Sequence, residues 1–349
     1  MTPASELAWV ARLIEEAKRR ILEASRPPEP EGGWRTLALV IADSAVDWRA
    51  GAILVLVKSV PLLLERSGRA RRAGPVQLTA YVGLSSLRPE ERGAFTYTSA
   101  SALAASELLK RVEPDALFIY QAAATFPPEA GVREQLPLDI PRICRELRGV
   151  ISLAQLHEAA YKGMEMMSRA LRLKHPQPLI TYLSEYCAMA AALAELREVA
   201  RDVGVPLAWV SRCSRRLARS LGLDAWVTDE ALLSFAWEGV DRAAIHALEL
   251  ADDYLAKQLA KLVPILAARR TWYYKLGPAG SISRMTHSGS LSEGWYLLGM
   301  LASAADKHGR LRVVERGAAL ASVRRGELES AWSHVQRTLS SSALRLLLS

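Results

Sequence analysis

The first feature of the chain is a helical repeat of apolar positions near its start. The apolar residues recur at intervals of three and four: Leu7, Val10, Ile14, Ala17 and Ile21. This spacing places them on one face of a helix, and a pair of prolines ends the pattern, so we predict an amphipathic helix over residues 3–25. Because it precedes the first strand, the helix could pack on a partner subunit as easily as on its own domain.

Long apolar runs replace the helical repeat after this segment. Residues 35–65 predict two strands joined through the turn-like break from Asp47 to Gly51. A third strand is predicted from Val76 to Leu84, after the basic segment Arg66 to Gly74, RSGRARRAG. The simplest interpretation is a hairpin meander. Its arginine-rich tip is either a solvated loop or a surface that touches DNA.

The middle of the chain alternates helices with short strands. We predict a helix from Ser99 to Val112, a strand over residues 116–120, a helical section from Pro141 to Val203, a strand from Pro206 to Val210, and then a basic helix, SRCSRRLARSLG. The last third predicts a helix from Asp241 to Ala268, a closing hairpin from Arg270–Lys275 and Ser281–His287, and helices from Trp295 onward. This order of elements indicates an α/β protein.

Composition limits the classes of function. The 349 residues carry a net charge of +8 with a pI near 9.5, and Arg outnumbers Lys about four to one. This excess favours partners that carry phosphate or anionic lipid, although GC-rich or thermophilic codon usage explains it equally well. The three cysteines lie far apart and no HxH or HExxH spacing occurs, so neither a disulfide framework nor a zinc site is expected.

No signal for export or for membrane insertion stands out. Lys58 interrupts the longest apolar run before it reaches the roughly 18 residues that cross a bilayer. The first residues form a charged amphipathic segment without a signal-peptide core. We therefore expect a cytoplasmic protein.

Acidic residues are the candidates for chemistry, because GxxxxGK[ST], GxGxxG after a strand and GxSxG are all absent. Asp43 ends the apolar run LALVIAD, Glu107 lies on the following helix, and Asp229 follows the short run DAWV. Together they could hold a divalent ion that activates water beside a phosphate. Individually, Asp43 could cap a turn, Glu107 could face solvent, and Asp229 could cap the helix that begins after it.

Arginines follow the strand PLAWV directly. Arg212, Arg215 and Arg216 lie where a helix begins beyond the strand, so they could position a phosphate. An exposed basic helix that only aids solubility is an equal alternative. At the end of the strand ALFIY, a nuclease of this topology would carry a further Asp, whereas this chain has Tyr120 and Gln121.

Four segments resemble the NurA family of nucleases, which work with the HerA helicase. They are LALVIADSAVDWRAGAILVLV, DALFIYQAA, VGVPLAWVSRCSRRLARSLG with WVTDEALL, and EGWYLLGMLASAADKHGRLRV. Asp43 and Ser44 stand at the family's Asp motif, Arg212 where the family often has Lys, and Gly294 in the closing block. The chain departs from the family at the glycine after the first Asp, at the Asp of the second segment, at the proline replaced by Tyr296, and at the histidine replaced by Ser303.

The resemblance implies an RNase H-like mixed sheet core with a large helical insertion and helical N- and C-terminal additions. The implied single domain has its N-terminal helix in residues 1–28, its sheet core in 35–122 and 204–235, its insertion in 141–203 and its C-terminal helical part in 241–349.

The resemblance also implies a function. The expected protein is a homodimeric, Mn²⁺- (or Mg²⁺-) dependent DNA exonuclease and single-strand endonuclease, partnered by a HerA-type hexameric ATPase in DNA end resection and repair. Asp43, Glu107 and Asp229 would be catalytic and metal-binding, and Arg212, Arg215 and Arg216 would bind DNA. One alternative is an inactive paralogue that serves as a DNA- or helicase-binding assembly subunit, and another is a module that binds other nucleic acid.

Overall fold

A computed structural model gives the architecture of the chain. It describes residues 3–49, 52–84, 89–121, 177–213, 216–223, 225–247 and 270–338. The strands are β1 Thr36–Arg49, β2 Ala52–Glu65, β3 Ala70–Arg72, β4 Gln77–Leu84, β5 Ala116–Gln121, β6 Leu207–Arg212, β7 Ala243–Ala247, β8 Arg270–Lys275 and β9 Ser283–His287. The helices are α1 Pro3–Ala24, α2 Pro89–Leu109, α3 Gln177–Asp202, α4 Arg216–Ser220, α5 Asp229–Ala236, α6 Leu291–Ala304, α7 Arg312–Ala321 and α8 Arg325–Thr338.

All the described strands belong to one mixed sheet. Its order is β3-β2-β1-β5-β6-β9-β8-β7, and β4 also pairs with β2. Strands β1, β5 and β6 are parallel, whereas β2, β4 and β9 run antiparallel to their neighbours. An antiparallel meander followed by parallel strands confirms the predicted α/β, RNase H-like core.

The two faces of the central sheet are covered by different helices. Leu39, Ile41 and Phe118 belong to a core that includes Leu298 of α6 and Val313 of α7. We call this side the α7 face. On the opposite side, the α2 face, Ala42 and its neighbours on β2 pack against α2. Since burying one large apolar side chain contributes roughly 1.5–3 kcal/mol, these two layers fix the register of the strands.

A separate core lies beneath the far edge of the sheet. Ile21 of α1 and Leu233 of α5 pack there with Ile245 of β7 and Tyr273 of β8. The chain just after α1 also bridges to β7, with backbone hydrogen bonds of 2.9 and 2.7 Å between Arg26 and Ala244. The amphipathic N-terminal helix is therefore confirmed, and its apolar face packs on its own chain.

Two sequence predictions fail near the sheet edges. Residues 243–247 were predicted to be helical but form β7, because pairing with β8 and Arg26 outweighs the helical preference of AAIHA. The predicted break from Asp47 to Gly51 is also too long, because β1 continues through Asp43 to Arg49 and pairs with β2 throughout. The rest of the predicted helix to Ala268, and the insertion before α3, lie outside the described residues.

The hairpin of β1 and β2 extends past the central sheet, and α8 holds it. Trp332 of α8 is buried against Leu54, and its indole nitrogen donates to Asp47 Oδ2 at 2.8 Å. Arg49 forms an ion pair of 2.7 Å with Glu329. These contacts attach the C-terminal helix of the described chain to the hairpin. No described helix is both long enough and apolar enough to span a bilayer.

The close approach of α7 to the sheet depends on a glycine. A Cβ atom at Gly317 would collide with Ile41 Cδ1 and would lie 2.9 Å from Leu62 Cδ1, and both side chains are buried. We expect Gly317→Val to lower the free energy of unfolding by about 2 kcal/mol in a urea titration, because overpacking displaces the helix. Gly326→Val on α8, where nothing lies within 4 Å, should change it by less than about 0.5 kcal/mol. If both substitutions lowered the free energy of unfolding equally, the close packing of α7 at Gly317 would be contradicted.

Candidate functional site

The carboxyl edge of the parallel strands is the candidate site. Strand β5 pairs with β1 from Leu37 to Ala42 and the pairing ends at Gln121. Asp43 is therefore the first residue of β1 beyond the parallel pairing. Its side chain is half-buried, and Oδ1 accepts a hydrogen bond of 2.9 Å from the Ser44 amide. Ligands of open α/β sheets bind at this edge, so Asp43 is placed where the sequence predicts a functional carboxylate.

Lys58 lies directly across the hairpin from Asp43. Its ammonium group donates to Glu327 Oε1 at 2.8 Å and to the Ser322 carbonyl at 3.4 Å. The backbone amide of Arg324 and the charge of Lys58 together hold the pKa of Glu327 below its usual value. In the sequence Lys58 is only a break in an apolar run, whereas the hairpin register places it beside Asp43. The edge thus carries a cation that is anchored by α8.

This anchor has a pH-dependent effect on stability. Lys58 is 15% exposed, so Lys58→Gln should lower the free energy of unfolding by about 1 kcal/mol at pH 7. Because the folded-state pKa of Glu327 is depressed, its contribution is full above its ordinary value of 4.5 and is lost as the pH falls through the folded pKa. The difference between the two proteins in urea titrations should therefore shrink below pH 4.5.

A matched control removes a more exposed cation. Lys110→Gln breaks ion pairs with Glu107 and Glu195 in which all three side chains are more than 40% exposed, so its effect should stay below about 0.5 kcal/mol. A Lys58→Gln effect that remains the same at pH 3 and pH 7 would contradict the role of the ion pair.

Arg212 lies at the same edge as Asp43. Gln121 pairs with Ala42 of β1 on one side and with Ser211 of β6 on the other. Asp43 follows Ala42 and Arg212 follows Ser211, so both side chains face the same side of the sheet. Their strands are two positions apart, which separates the backbones by about 10 Å. The Arg212 side chain is exposed. Arg215 lies outside the described residues, and of Arg216 only the backbone is described, as the first residue of α4.

Glu107 lies at the opposite end of the sheet. The Tyr97 hydroxyl donates to the Ala42 carbonyl at 2.6 Å, and Glu107 follows ten residues later on α2, about 15 Å along the helix. Two residues beyond Glu107 the helix ends, and Asp115 then binds the amides that begin β1. The Glu107 carboxylate pairs with Lys110 and Arg111 on the surface. The structure does not bring Glu107 to Asp43.

Asp229 is buried beneath the far edge of the sheet. Its carboxylate accepts hydrogen bonds from the Ala218 amide at 2.8 Å and from the Tyr273 hydroxyl at 2.9 Å. Strand β8, which carries Tyr273, is four positions from β1, about 19 Å away. Thr228 caps α5 and Asp229 is its first residue. Asp229 therefore organises the core under β8, and the structure does not bring it to Asp43.

The described residues do not gather a metal-binding cluster. Within them, no three acidic, histidine or cysteine side chains lie together in a way that could hold an ion. At the end of β5, Tyr120 is buried in the core of the α7 face, and burial raises its pKa well above the usual value. A tyrosine that stays protonated does not replace the carboxylate expected at the end of this strand.

Close packing accounts for Gly294, the glycine of the closing block. A Cβ atom at Gly294 would lie 2.5 Å from Trp272 Nε1 and 2.6 Å from His287 Nε2. The indole of Trp272 donates to that histidine nitrogen at 3.1 Å. Burial lowers the pKa of His287 to about 4, so the imidazole is neutral near pH 7. Ser303, at the position of the family's histidine, instead accepts a hydrogen bond from Trp34.

Comparison with known proteins reveals similarity in structure alone. No protein-family model and no curated protein sequence matches the chain. A structure of NurA bound to dAMP and manganese superposes with a TM-score of 0.64 at 12% identity, covering 97% of this chain and 96% of that one. NurA with manganese gives 0.59 at 11% identity, covering 97% and 98%. The NurA nuclease from Sulfolobus solfataricus gives 0.58 at 12% identity, covering 96% and 94%. Over nearly its whole length, this chain has the α/β fold of the NurA nucleases.

Proposed function

We propose that this chain is a metal-dependent DNA nuclease of the NurA type. One observation carries the proposal: in a chain that shares the NurA fold over nearly its entire length, Asp43 lies at the carboxyl edge of the central strand. A structure of NurA contains dAMP and manganese, which fits a deoxynucleotide product and a divalent ion. The substrate class is DNA, and the proposed setting is DNA end resection in the cytoplasm.

The donor chemistry of this edge supports a divalent ion only in part. Asp43 offers the hard carboxylate oxygens that Mn²⁺ or Mg²⁺ prefers, but Glu107 and Asp229 lie too far away to share the ion. A bound ion would lower the pKa of an attacking water and neutralise the phosphate.

Arginine is the proposed means of holding the substrate. Arg212 is exposed on the same face as Asp43, two strands away. A guanidinium group binds phosphate oxygens in a bidentate manner and so would orient the scissile phosphate toward the edge. Arg215 and Arg216, which follow β6, are proposed to extend this contact.

The direct test is cleavage of labelled DNA. Purified full-length protein would be incubated with Mn²⁺ or Mg²⁺ and with single strands labelled at either the 5′ or the 3′ end. We expect metal-dependent shortening with the order of products indicating 5′ to 3′ removal. Intact substrate with both metals would overturn the enzyme proposal.

A second candidate is a catalytically silent assembly subunit. It is favoured by the lack of a metal cluster among the described residues and by the buried Tyr120 at the end of β5. In this role the chain would bind, as a homodimer, to a HerA-type hexameric ATPase. It predicts co-purification with that ATPase and a raised rate of ATP hydrolysis without DNA cleavage. Failure of both the pull-down and the stimulation would exclude it.

A further inference from the structure

A pocket lined by arginines lies at the amino edge of the sheet, far from Asp43. It has a volume of about 430 Å³ and opens between the turn after β2 and the loop before α7. Its basic lining residues are Arg66, Arg310, Arg312 and Arg316. We call it the arginine pocket.

The carboxylates of the pocket neutralise its arginines only in part, because Asp306 pairs with Arg312 alone. Asp306 accepts hydrogen bonds from the amides of His308 and Arg310 and from Arg312 Nε at 3.2 Å, which hold its pKa below the usual value. Glu65, the other acid of the lining, approaches Arg71, outside the pocket, at 4.0 Å. Among the described residues, Arg66, Arg310 and Arg316 have no ion-pair partner. A concave surface with this positive excess suits an anion.

The walls of the pocket are held in place by the fold. The Asp306 amide donates to the Arg310 carbonyl at 3.0 Å, and the Gly309 amide donates to the Asp306 carbonyl at 2.8 Å. Gly309 adopts a φ of +82°, which only glycine adopts without strain. On the floor, the buried Trp34 donates to Ser303 at 2.6 Å. The loop that carries Arg310 and Arg312 is therefore pre-organised, so binding would require little ordering.

The basic surface continues beyond the pocket along α7 and β3. Arg312 and Arg316 are one helical turn apart on the same side of α7, and no side chain caps the start of this helix. Arg72 of β3 pairs with Leu62, so both face the α7 side of the sheet. The basic residues thus extend beyond the pocket lining, whereas a single phosphate would need only one cluster. This extent favours a chain of phosphates.

We propose that the arginine pocket binds the phosphodiester backbone of DNA as a second contact site. The choice of DNA rests on the proposed function. Along β2, Lys58 and Glu65 are seven residues apart, so the pocket lies about 23 Å from the edge that holds Asp43. That distance corresponds to roughly seven nucleotide steps of B-form DNA. One DNA strand can therefore contact the pocket while its end lies at Asp43.

Binding in the absence of metal tests the pocket separately from cleavage. Fluorescence anisotropy would measure the affinity of full-length protein for a labelled DNA duplex of about 30 base pairs in EDTA, over a series of salt concentrations. We expect Arg312→Gln with Arg316→Gln to weaken binding roughly tenfold and to reduce the slope of log K against log salt by about 1.8, because two phosphate contacts are lost. The control pair, Arg12→Gln with Arg201→Gln, removes the same charge from exposed positions on α1 and α3 and should leave both values unchanged.

Several outcomes would overturn the proposal. Equal affinities for wild type and for the Arg312 and Arg316 double variant would remove the pocket from DNA binding, even if the enzyme cleaves DNA. An equal loss of affinity in the control pair would show that the effect depends only on the net charge of the protein. Tight binding of polyglutamate without binding of DNA would instead assign the pocket to an acidic protein.

Discussion

Replacing Asp43 with asparagine is expected to reduce metal-dependent DNA cleavage by at least about 100-fold. The change keeps the shape of the side chain and the hydrogen bond from the Ser44 amide, but removes the negative charge at the carboxyl edge. Charge stabilisation by a bound divalent ion contributes several kcal/mol, and each 1.36 kcal/mol corresponds to a factor of about ten in rate. Initial rates on single-stranded DNA, at saturating Mn²⁺, would measure the loss.

The control for this variant lies on the same strand. Asp47→Asn changes another β1 carboxylate that already accepts a hydrogen bond from Trp332 and pairs with Arg49, so it should alter stability more than rate. Thermal unfolding would verify that Asp43→Asn remains folded. Retention of full activity by a folded Asp43→Asn protein would remove Asp43 from the catalytic machinery.

Replacing Asp229 with alanine is expected to lower the free energy of unfolding by about 3 kcal/mol. The substitution leaves the Ala218 amide and the Tyr273 hydroxyl without their acceptor in a region closed to solvent. Hydrogen bonds to a charged group contribute roughly 1.5–3 kcal/mol each, and an unpaired buried donor adds a desolvation cost. Burial and the negative charge of Asp229 raise the pKa of Tyr273, which keeps this hydroxyl a donor. Urea titration would measure the change.

This variant also separates a structural role from a metal-binding one. Glu230→Ala, at the exposed neighbouring position, should change the free energy of unfolding by less than about 0.5 kcal/mol. Below the unfolding transition, the activity per folded molecule of Asp229→Ala should match that of wild type. A stable Asp229→Ala protein whose cleavage activity is lost would restore the metal-binding prediction for this residue.

Strands with strong apolar patterns were predictable from the sequence. The β1–β2 pair, β4, β5, β6 and the β8–β9 hairpin were all expected and are confirmed. The failures share a physical cause, which is that long-range pairing overrides local preference. Strand β3 was not predicted and lies in the basic segment between β2 and β4. Its three residues pair with β2 but are all exposed, so the sequence shows no apolar alternation there.

The candidate site was predictable only one residue at a time. Asp43 follows from an apolar run that ends in a carboxylate, a local signal. Whether Glu107 and Asp229 join it depends on the direction of α2 and on the four-strand separation of β8 from β1, which no local pattern encodes. Lys58 becomes a neighbour of Asp43 only through the register of the hairpin, which the apolar pattern alone does not give.

The extension of β1 and β2 past the central sheet restricts how a ligand can approach Asp43. On one flank stands a three-stranded arm of β1, β2 and β4, braced by Trp332 and by the ion pair of Arg49 with Glu329. On the other flank, β5 has already stopped and Arg212 is exposed. Within the described part of the chain, the arm therefore gives one flank of Asp43 a rigid wall, so a ligand bound at this edge would meet a fixed surface on one side and a cation on the other.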